Sequence, residues 1–305
     1  MGRYSAIFII GILLHSEVLH AQMGGYAGSF LRMGVTARGG GMGDAFSSVP
    51  GDGSAGYYNP AGTPFLKYKI FSASGMILSL DRRLNYISYA QSLPPSAGLS
   101  LAWVSANIGG LERRDNDGVL YGSINQGEQA FYFSFANRFA KKISIGLSGK
   151  ILYQRLYVLT SRNFGWDFGI LIEPIERLHL GGMIQDIKSK YRWDSAKLYE
   201  RGTTRIDEFP RILKLGASYE FERVPVLAAV DIVRQTNENA RVHVGIEVPM
   251  AGHFALRGGL RGKDITAGGG MVFKVFKRYS SLDYALQDIE YDITLSHIVT
   301  WSFLF

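Results

Sequence analysis

At the end of the chain, Ile293, Leu295, Val299, Trp301, Phe303 and Phe305 fall on one side of an extended backbone, and Thr294, Ser296, Thr300 and Ser302 on the other. A period of two puts successive side chains into two different environments, as a strand between an apolar and a polar phase requires. The pattern recurs at Ile143, Ile145, Leu147, Ile151 and Tyr153 against Ser144, Gly146, Ser148 and Lys150, and at Phe164, Trp166, Phe168, Ile170 and Ile172 against Gly165, Asp167 and Gly169. Further along, Leu213, Leu215, Ala217 and Tyr219 oppose Lys214, Gly216 and Ser218, Val242, Val244 and Ile246 oppose Arg241, His243 and Glu247, and Phe254, Leu256 and Leu260 oppose Arg257 and Arg261. Strand-length runs fall at 68–80, 84–93, 97–108, 127–138, 142–156, 164–174, 176–188, 208–220, 223–233, 239–248, 252–262, 265–276, 278–287 and 293–305, although 85–92 does not alternate cleanly. Their even number suits a closed antiparallel barrel.

The connections provide a second criterion. Even-numbered ones are short, as at 94–96 and 249–251, whereas the longest, 109–126 and 187–206, are both odd-numbered. With both termini in the periplasm, the long loops lie outside and the short turns inside, the asymmetry of outer-membrane barrels. The expected fold class is all-β: a transmembrane antiparallel β-barrel of about 14 strands over 68–305. A soluble sandwich or propeller would also alternate, but the outer face carries no Lys or Glu in the clearest strands, which end in aromatic residues.

Ahead of the barrel the texture differs. Arg3, an apolar stretch at 6–14 and Ala21 before Gln22 read as a signal peptide over 1–21. The apolar stretch is half the length that spans about 30 Å of hydrocarbon, which disfavours a membrane anchor. Residues 22–67 are rich in glycine, with 12 between positions 23 and 66. Fourteen strands enclose more space than their own side chains fill. This segment is therefore expected to fold into the lumen as a plug, its glycines permitting tight turns and close backbone approach.

Composition narrows the function. The 305 residues are 47% hydrophobic and 19% charged, which excludes disorder, and the mean hydropathy of +0.03 is too low for a bundle of membrane helices. Without cysteine there is no disulfide framework, thiolate metal site or cysteine nucleophile. The net charge of +7 is dispersed along the chain, so no nucleic-acid partner is expected. Inward-facing positions hold the cations Lys150, Arg177, Lys214, Arg241, Arg257, Arg261 and Lys274 and the anions Asp167, Glu220, Asp231, Glu247 and Asp283. So even a balance predicts an internal ion-paired network instead of a strongly ion-selective pore. Arg38, Asp44 and Asp52 of the plug are its expected partners.

The segment contains Ala37-Arg38-Gly39-Gly40-Gly41-Met42-Gly43-Asp44-Ala45-Phe46, followed by Tyr57-Tyr58-Asn59-Pro60-Ala61-Gly62. In these stretches, and again through 166–171, 210–216, 241–245, 256–259 and 282–285, the chain resembles PorV-type and, more distantly, FadL-type outer-membrane proteins. The resemblance implies a 14-stranded barrel with the N-terminal segment inside. PorV-like members dock the C-terminal domains of exported proteins in type IX secretion, and FadL-like members pass hydrophobic molecules through a hatch. The expected function is non-enzymatic docking or shuttling of secreted cargo proteins, with a passive channel for a hydrophobic small molecule as the alternative. Lys188, Lys190, Arg192, Lys197 and Arg201 of the second long loop suit an acidic patch on a cargo, while Tyr26, Phe30, Phe46 and Tyr57 suit an apolar path. Outer-membrane lipid and the barrel-assembly machinery are expected partners, the latter reading the terminal aromatic Phe305.

Other chemistry fits poorly. The glycines at 39–43 lack the Lys-Ser/Thr of a phosphate loop, and Asp44 would repel an anion. Asn59-Pro60 reads as a turn. Asp115-Asn116-Asp117-Gly118 lacks the later ligands of a calcium loop and reads as a hairpin turn. His179, His243, His253 and His297 have no serine elbow near them, and no catalytic residue, cofactor or metal is expected.

Overall fold

The computed structural model describes residues 26–305 except 141, 198–199, 223, 251–252, 276 and 289–293; the expected signal peptide and Ile293 lie outside the described residues. Sixteen strands follow one another: β1 (Ile70–Ile77), β2 (Arg82–Leu93), β3 (Ala97–Arg114), β4 (Leu120–Phe139), β5 (Ile143–Leu156), β6 (Leu159–Ile175), β7 (Leu178–Ile187), β8 (Lys190–Asp194), β9 (Thr204–Glu208), β10 (Ile212–Glu220), β11 (Leu227–Gln235), β12 (Arg241–Pro249), β13 (Phe254–Arg261), β14 (Asp264–Val275), β15 (Arg278–Gln287) and β16 (Ser296–Leu304). All but β8 and β9 form one closed antiparallel barrel of 14 strands, sealed where Ile70 to Ile77 of β1 face Leu304 to His297 of β16.

Alternation decides the two faces. In β16, Ile298 and Thr300 are buried, whereas Val299 and Trp301 stand out from the wall. Around the circumference the exposed row is apolar, as with Phe133, Ile145, Phe168, Leu215, Ile232 and Val244. Apolar surface of this extent is what a bilayer covers. The end of the barrel where the chain enters β1 and leaves β16 is here the near end, and the opposite one the far end.

Of the two expected loops, one is largely strand and the other contains a short ribbon. Residues 109–126 are mostly the upper parts of β3 and β4, with a bulge between Ile108 and Leu111 and a tight turn at 115–119. In that turn Asp115 Oδ1 accepts from the N–H groups of Asp117 at 3.0 Å and Val119 at 2.8 Å. Because this hairpin projects past the apolar outer band, no apolar side remains to reveal its period. Within 187–206, β8 and β9 form a two-stranded ribbon. It turns Tyr191 and Trp193 inward, where they and Phe209 join the core of the N-terminal segment.

That segment folds as short helical pieces. A 3-10 turn spans Ser29–Arg32; α1 (Ala37–Gly41) is capped by Thr36, whose side chain accepts from Gly39 N–H; α2 (Ala55–Tyr58) leads into a 3-10 run, Pro60–Phe65, capped by the Asn59 side chain accepting from Ala61 N–H. Both caps satisfy amides that a helix start leaves open. α1 lies against β13 to β16 and Pro60–Phe65 against β2 to β6. The wall is relieved where the segment touches it. A Cβ on Gly98, Gly146, Gly181, Gly245 or Gly259 would fall 2.3–2.5 Å from segment backbone atoms.

Candidate functional site: the filled lumen

The interior has a charged sector and an apolar one. In the charged sector, Arg38 of α1 donates through Nε and Nη2 to Glu247 at 2.9 and 2.8 Å and through Nη1 to Asp52 at 2.9 Å. Glu247 also accepts from Arg257 Nε at 2.6 Å, and Arg257 Nη1 reaches Asp283 at 2.8 Å. The result is a continuous chain, Asp52–Arg38–Glu247–Arg257–Asp283, joining β12, β13 and β15 to the segment. Burial alone works against charge on Arg38, but the Glu247 and Asp52 carboxylates outweigh it and hold the guanidinium well above its ordinary pKa. A second anchor pairs Asp44 with Arg261 at 3.1 Å, and Asp44 also accepts from Tyr58 Oη at 2.9 Å. Burial, reinforced by the Asp44 charge, pushes the Tyr58 phenol well above its ordinary value.

Hydrogen bonds to the backbone of the segment complete the attachment. Asp231 Oδ2 accepts from Phe46 and Ser47 N–H at 3.0 and 2.9 Å, and Thr300 Oγ1 accepts from Ala37 N–H at 2.8 Å. Gly43, in the left-handed region with φ of 63°, donates to Thr266 Oγ1 at 3.0 Å, and its missing side chain admits the Leu260 carbonyl. Asn59 Nδ2 donates to Ser47 O at 2.6 Å and Ile170 O at 3.1 Å. Among the remaining motif residues, Met42 and Ala61 are wholly buried, Pro60 and Ala61 sit against Gly146, Gly41 faces Gly268, and Gly62 touches Ala55.

The apolar sector lies opposite. Leu84, Tyr86, Ala102, Val104, Ala130 and Tyr132 point inward from β2, β3 and β4. They meet Tyr57, which lies edge-on to Tyr86 and Tyr132 with ring centroids 6.1 and 5.9 Å apart. Phe30, Leu31 and Phe46 belong to the same core. At the far end Tyr191 stacks edge-on against Phe209 at 4.9 Å and donates its hydroxyl to Glu128 at 3.0 Å, so the β8–β9 ribbon lids this sector. On the near side of the segment a cavity of about 510 Å³ opens, bordered by Arg38, Glu247, Arg257, Ile70, Met271 and Leu304.

Lys150 is buried against two carboxylates, Asp167 at 2.7 Å and Asp186 at 2.5 Å. Asp186 carries no periodic signature, because it sits where the β6–β7 register shifts and its φ is 62°. Lys214 borders a small cavity of about 90 Å³ shared with His243 and Arg261, and Arg241 stands at its mouth. Three expected lumen charges lie elsewhere. Arg177 is in the turn between β6 and β7, 3.7 Å from the exposed Glu222; Glu220 and Lys274 are exposed near the near-end termini of β10 and β14. Their places in the alternation are inward, but the strands finish beside them, so the side chains reach the medium. Among the described residues no cluster of His, Asp and Glu is arranged to hold a metal ion.

The sequence matches no protein-family model and no curated protein. Solved structures do match. The Ralstonia pickettii toluene transporter TbuX aligns with a TM-score of 0.62 at 10% identity, over 89% of this chain and 98% of its own. A FadL homologue from Pseudomonas aeruginosa aligns at 0.60 and 10% identity, over 89% and 98%. The fold is that of FadL-type outer-membrane barrels. CymD, a monoaromatic hydrocarbon channel, aligns at 0.58 and 12% identity over 89% of this chain and 97% of its own, so the likeness extends through nearly the whole of each FadL-type barrel.

Proposed function

We propose that the protein is a passive channel of the bacterial outer membrane for apolar small molecules, with residues 26–66 as its plug. The near end then faces the periplasm, and the β8–β9 ribbon lies outside the cell. The carrying observation is the apolar sector: an inward surface of Leu84, Tyr86, Ala102, Val104, Ala130 and Tyr132 is mainly hydrocarbon and aromatic ring, which suits a hydrophobic solute once the plug shifts. The ribbon aromatics Tyr191 and Trp193 close this path from outside, and the near-side cavity receives what passes. FadL-type proteins of matching fold include a toluene transporter and a hydrocarbon channel, which supports the same solute class.

The secretion reading rests on a resemblance that begins in motifs 37–46 and 57–62 and continues through the later strands, with cargo contact expected at the cations of the second long loop. Arg38, Asp44 and Asn59, the most distinctive side chains of those two motifs, are engaged in fastening the segment to the wall. The test is entry of the apolar fluorophore N-phenylnaphthylamine into intact cells with and without the barrel at matched outer-membrane levels. Cells carrying it should fill faster, and faster still when residues 190–208 are replaced by a short turn. Equal rates in all three strains would refute the channel.

A further inference from the structure

The barrel wall is notched at its far end. β7 pairs with β6 only as far as Ile187, opposite Trp166, whereas β6 runs on to Leu159. The chain leaves the wall through Asp186 and Lys188, with φ of 62° and 60°, and rejoins it after Arg211. A groove of about 750 Å³ remains, bordered by Phe164, Trp166, Ile187, Lys188, Lys190 and Arg211.

Two surfaces of different chemistry meet in this groove. Phe164 and Trp166 project from the outer wall, 64% and 46% exposed, in the same outward row as Phe168. The next outward position is Arg162, whose guanidinium lies 5.5 Å from the Tyr153 ring and marks the level at which the apolar band ends. Lys188, Lys190 and Arg211 line the same groove, and none of their side chains has an ion-pair or hydrogen-bond partner among the described residues. The acids of the lining are Asp186, buried and held by Lys150, and the exposed Glu208, opposite Lys190 in the ribbon. Aromatic rings at the edge of the hydrocarbon with unpaired cations beside them complement an amphiphile with an apolar tail and an anionic head.

We propose that this groove binds an anionic, phosphate-bearing lipid of the outer leaflet, with an acyl chain along Phe164 and Trp166 and the phosphate held by Lys188, Lys190 and Arg211. The inference rests on the barrel spanning the outer membrane with its far end outward, and does not depend on what crosses the lumen.

The full chain, folded into nanodiscs of phosphatidylcholine with a minor fraction of bisphosphorylated lipid A, would be released and weighed intact by native mass spectrometry. The parent should retain lipid A and not its dephosphorylated form. Lys188→Gln/Lys190→Gln/Arg211→Gln should weaken retention on the order of 100-fold, since each near-surface cation contributes about fivefold toward an anionic lipid. Phe164→Ala/Trp166→Ala should weaken it too, whereas Lys67→Gln/Lys69→Gln at the near end should not. Heat-resistant migration in detergent gels confirms a closed barrel for every variant. Undiminished retention by the triple variant, or equal retention of the dephosphorylated lipid, overturns the proposal. If the triple variant keeps lipid A but loses fluorophore entry, the groove is a side exit for solute and the lipid site falls. Phosphate-dependent retention by a barrel that admits no fluorophore would leave the lipid site standing and remove the channel.

Discussion

Arg38→Met is the substitution whose effect follows most directly from the lumen's geometry. It keeps a side chain of similar length and removes three charge-assisted hydrogen bonds, two to Glu247 and one to Asp52. Neither acid is stranded: Glu247 keeps Arg257 at 2.6 Å, and Asp52 keeps its contacts with Ser54. The Arg38 side chain is 26% exposed, so the loss should fall below the 3–5 kcal/mol typical of breaking a fully buried pair, at roughly 2 kcal/mol of seating free energy. At about 1.4 kcal/mol per tenfold, the unseated population should rise roughly 30-fold. The chain has no cysteine, so Ser48→Cys, at a fully buried position, supplies a single reporter. Maleimide labels it only when the segment leaves the wall, and the rate tracks that population. With the reporter in place, Arg38→Met should label roughly 30 times faster than the parent, Glu247→Gln should have a smaller effect because Arg38 retains Asp52, and the double variant should fall short of the sum. A rate for Arg38→Met within about twofold of the parent would mean the ion-pair chain does not hold the segment.

Three other perturbations probe different links. Gly146→Ala puts a Cβ 2.5 Å from Ala61 N, so it should cost about 1–3 kcal/mol and speed reporter labelling at least severalfold; Gly258→Ala, with nothing within 4 Å, should leave the rate unchanged. Burial and the neighbouring Asp44 raise the phenol pKa values of Tyr57 and Tyr58, so the seated segment keeps protons that the unseated one releases above about pH 10. Seating should hold below about pH 10 and weaken as pH rises beyond it, read by proteinase K cleavage within 26–66, and Tyr57→Phe/Tyr58→Phe should flatten that rise; a flat profile in the parent contradicts the assignment. Phe305→Ala should lower the amount inserted in the outer membrane severalfold while leaving refolding into detergent unaffected, and equal insertion would remove Phe305 as an assembly signal.

The wall was legible because its two faces meet different phases, and legibility fails where they do not. The runs at 143–156, 164–172 and 293–305 alternate cleanly because hydroxyls, glycine or charge face the lumen there. The unclean run at 84–93 is a barrel strand all the same. Its inward residues Leu84, Tyr86 and Ala90 pack on apolar parts of the N-terminal chain while Asn85 and Gln91 sit in the outward row, so apolar and polar residues occur on both faces and the period is masked. The partners expected for Arg38 and Asp44 could be framed from charge alone, since buried ions need counter-ions. Asp186 could not, because a register shift takes it out of phase. Parity puts Arg177 inside although β7 begins only at Leu178, since alternation reports a side and not a depth.

Ala37, near the start of the chain, bonds to Thr300, near its end, and α1 packs on the same strand that seals the barrel against β1. The seat for a segment that precedes the barrel in the chain is therefore finished only when the barrel's final strand, β16, arrives. Closing the cylinder and completing this seat depend on the same strand, and a barrel truncated before β16 would lack both its seam and the Thr300 bond to Ala37.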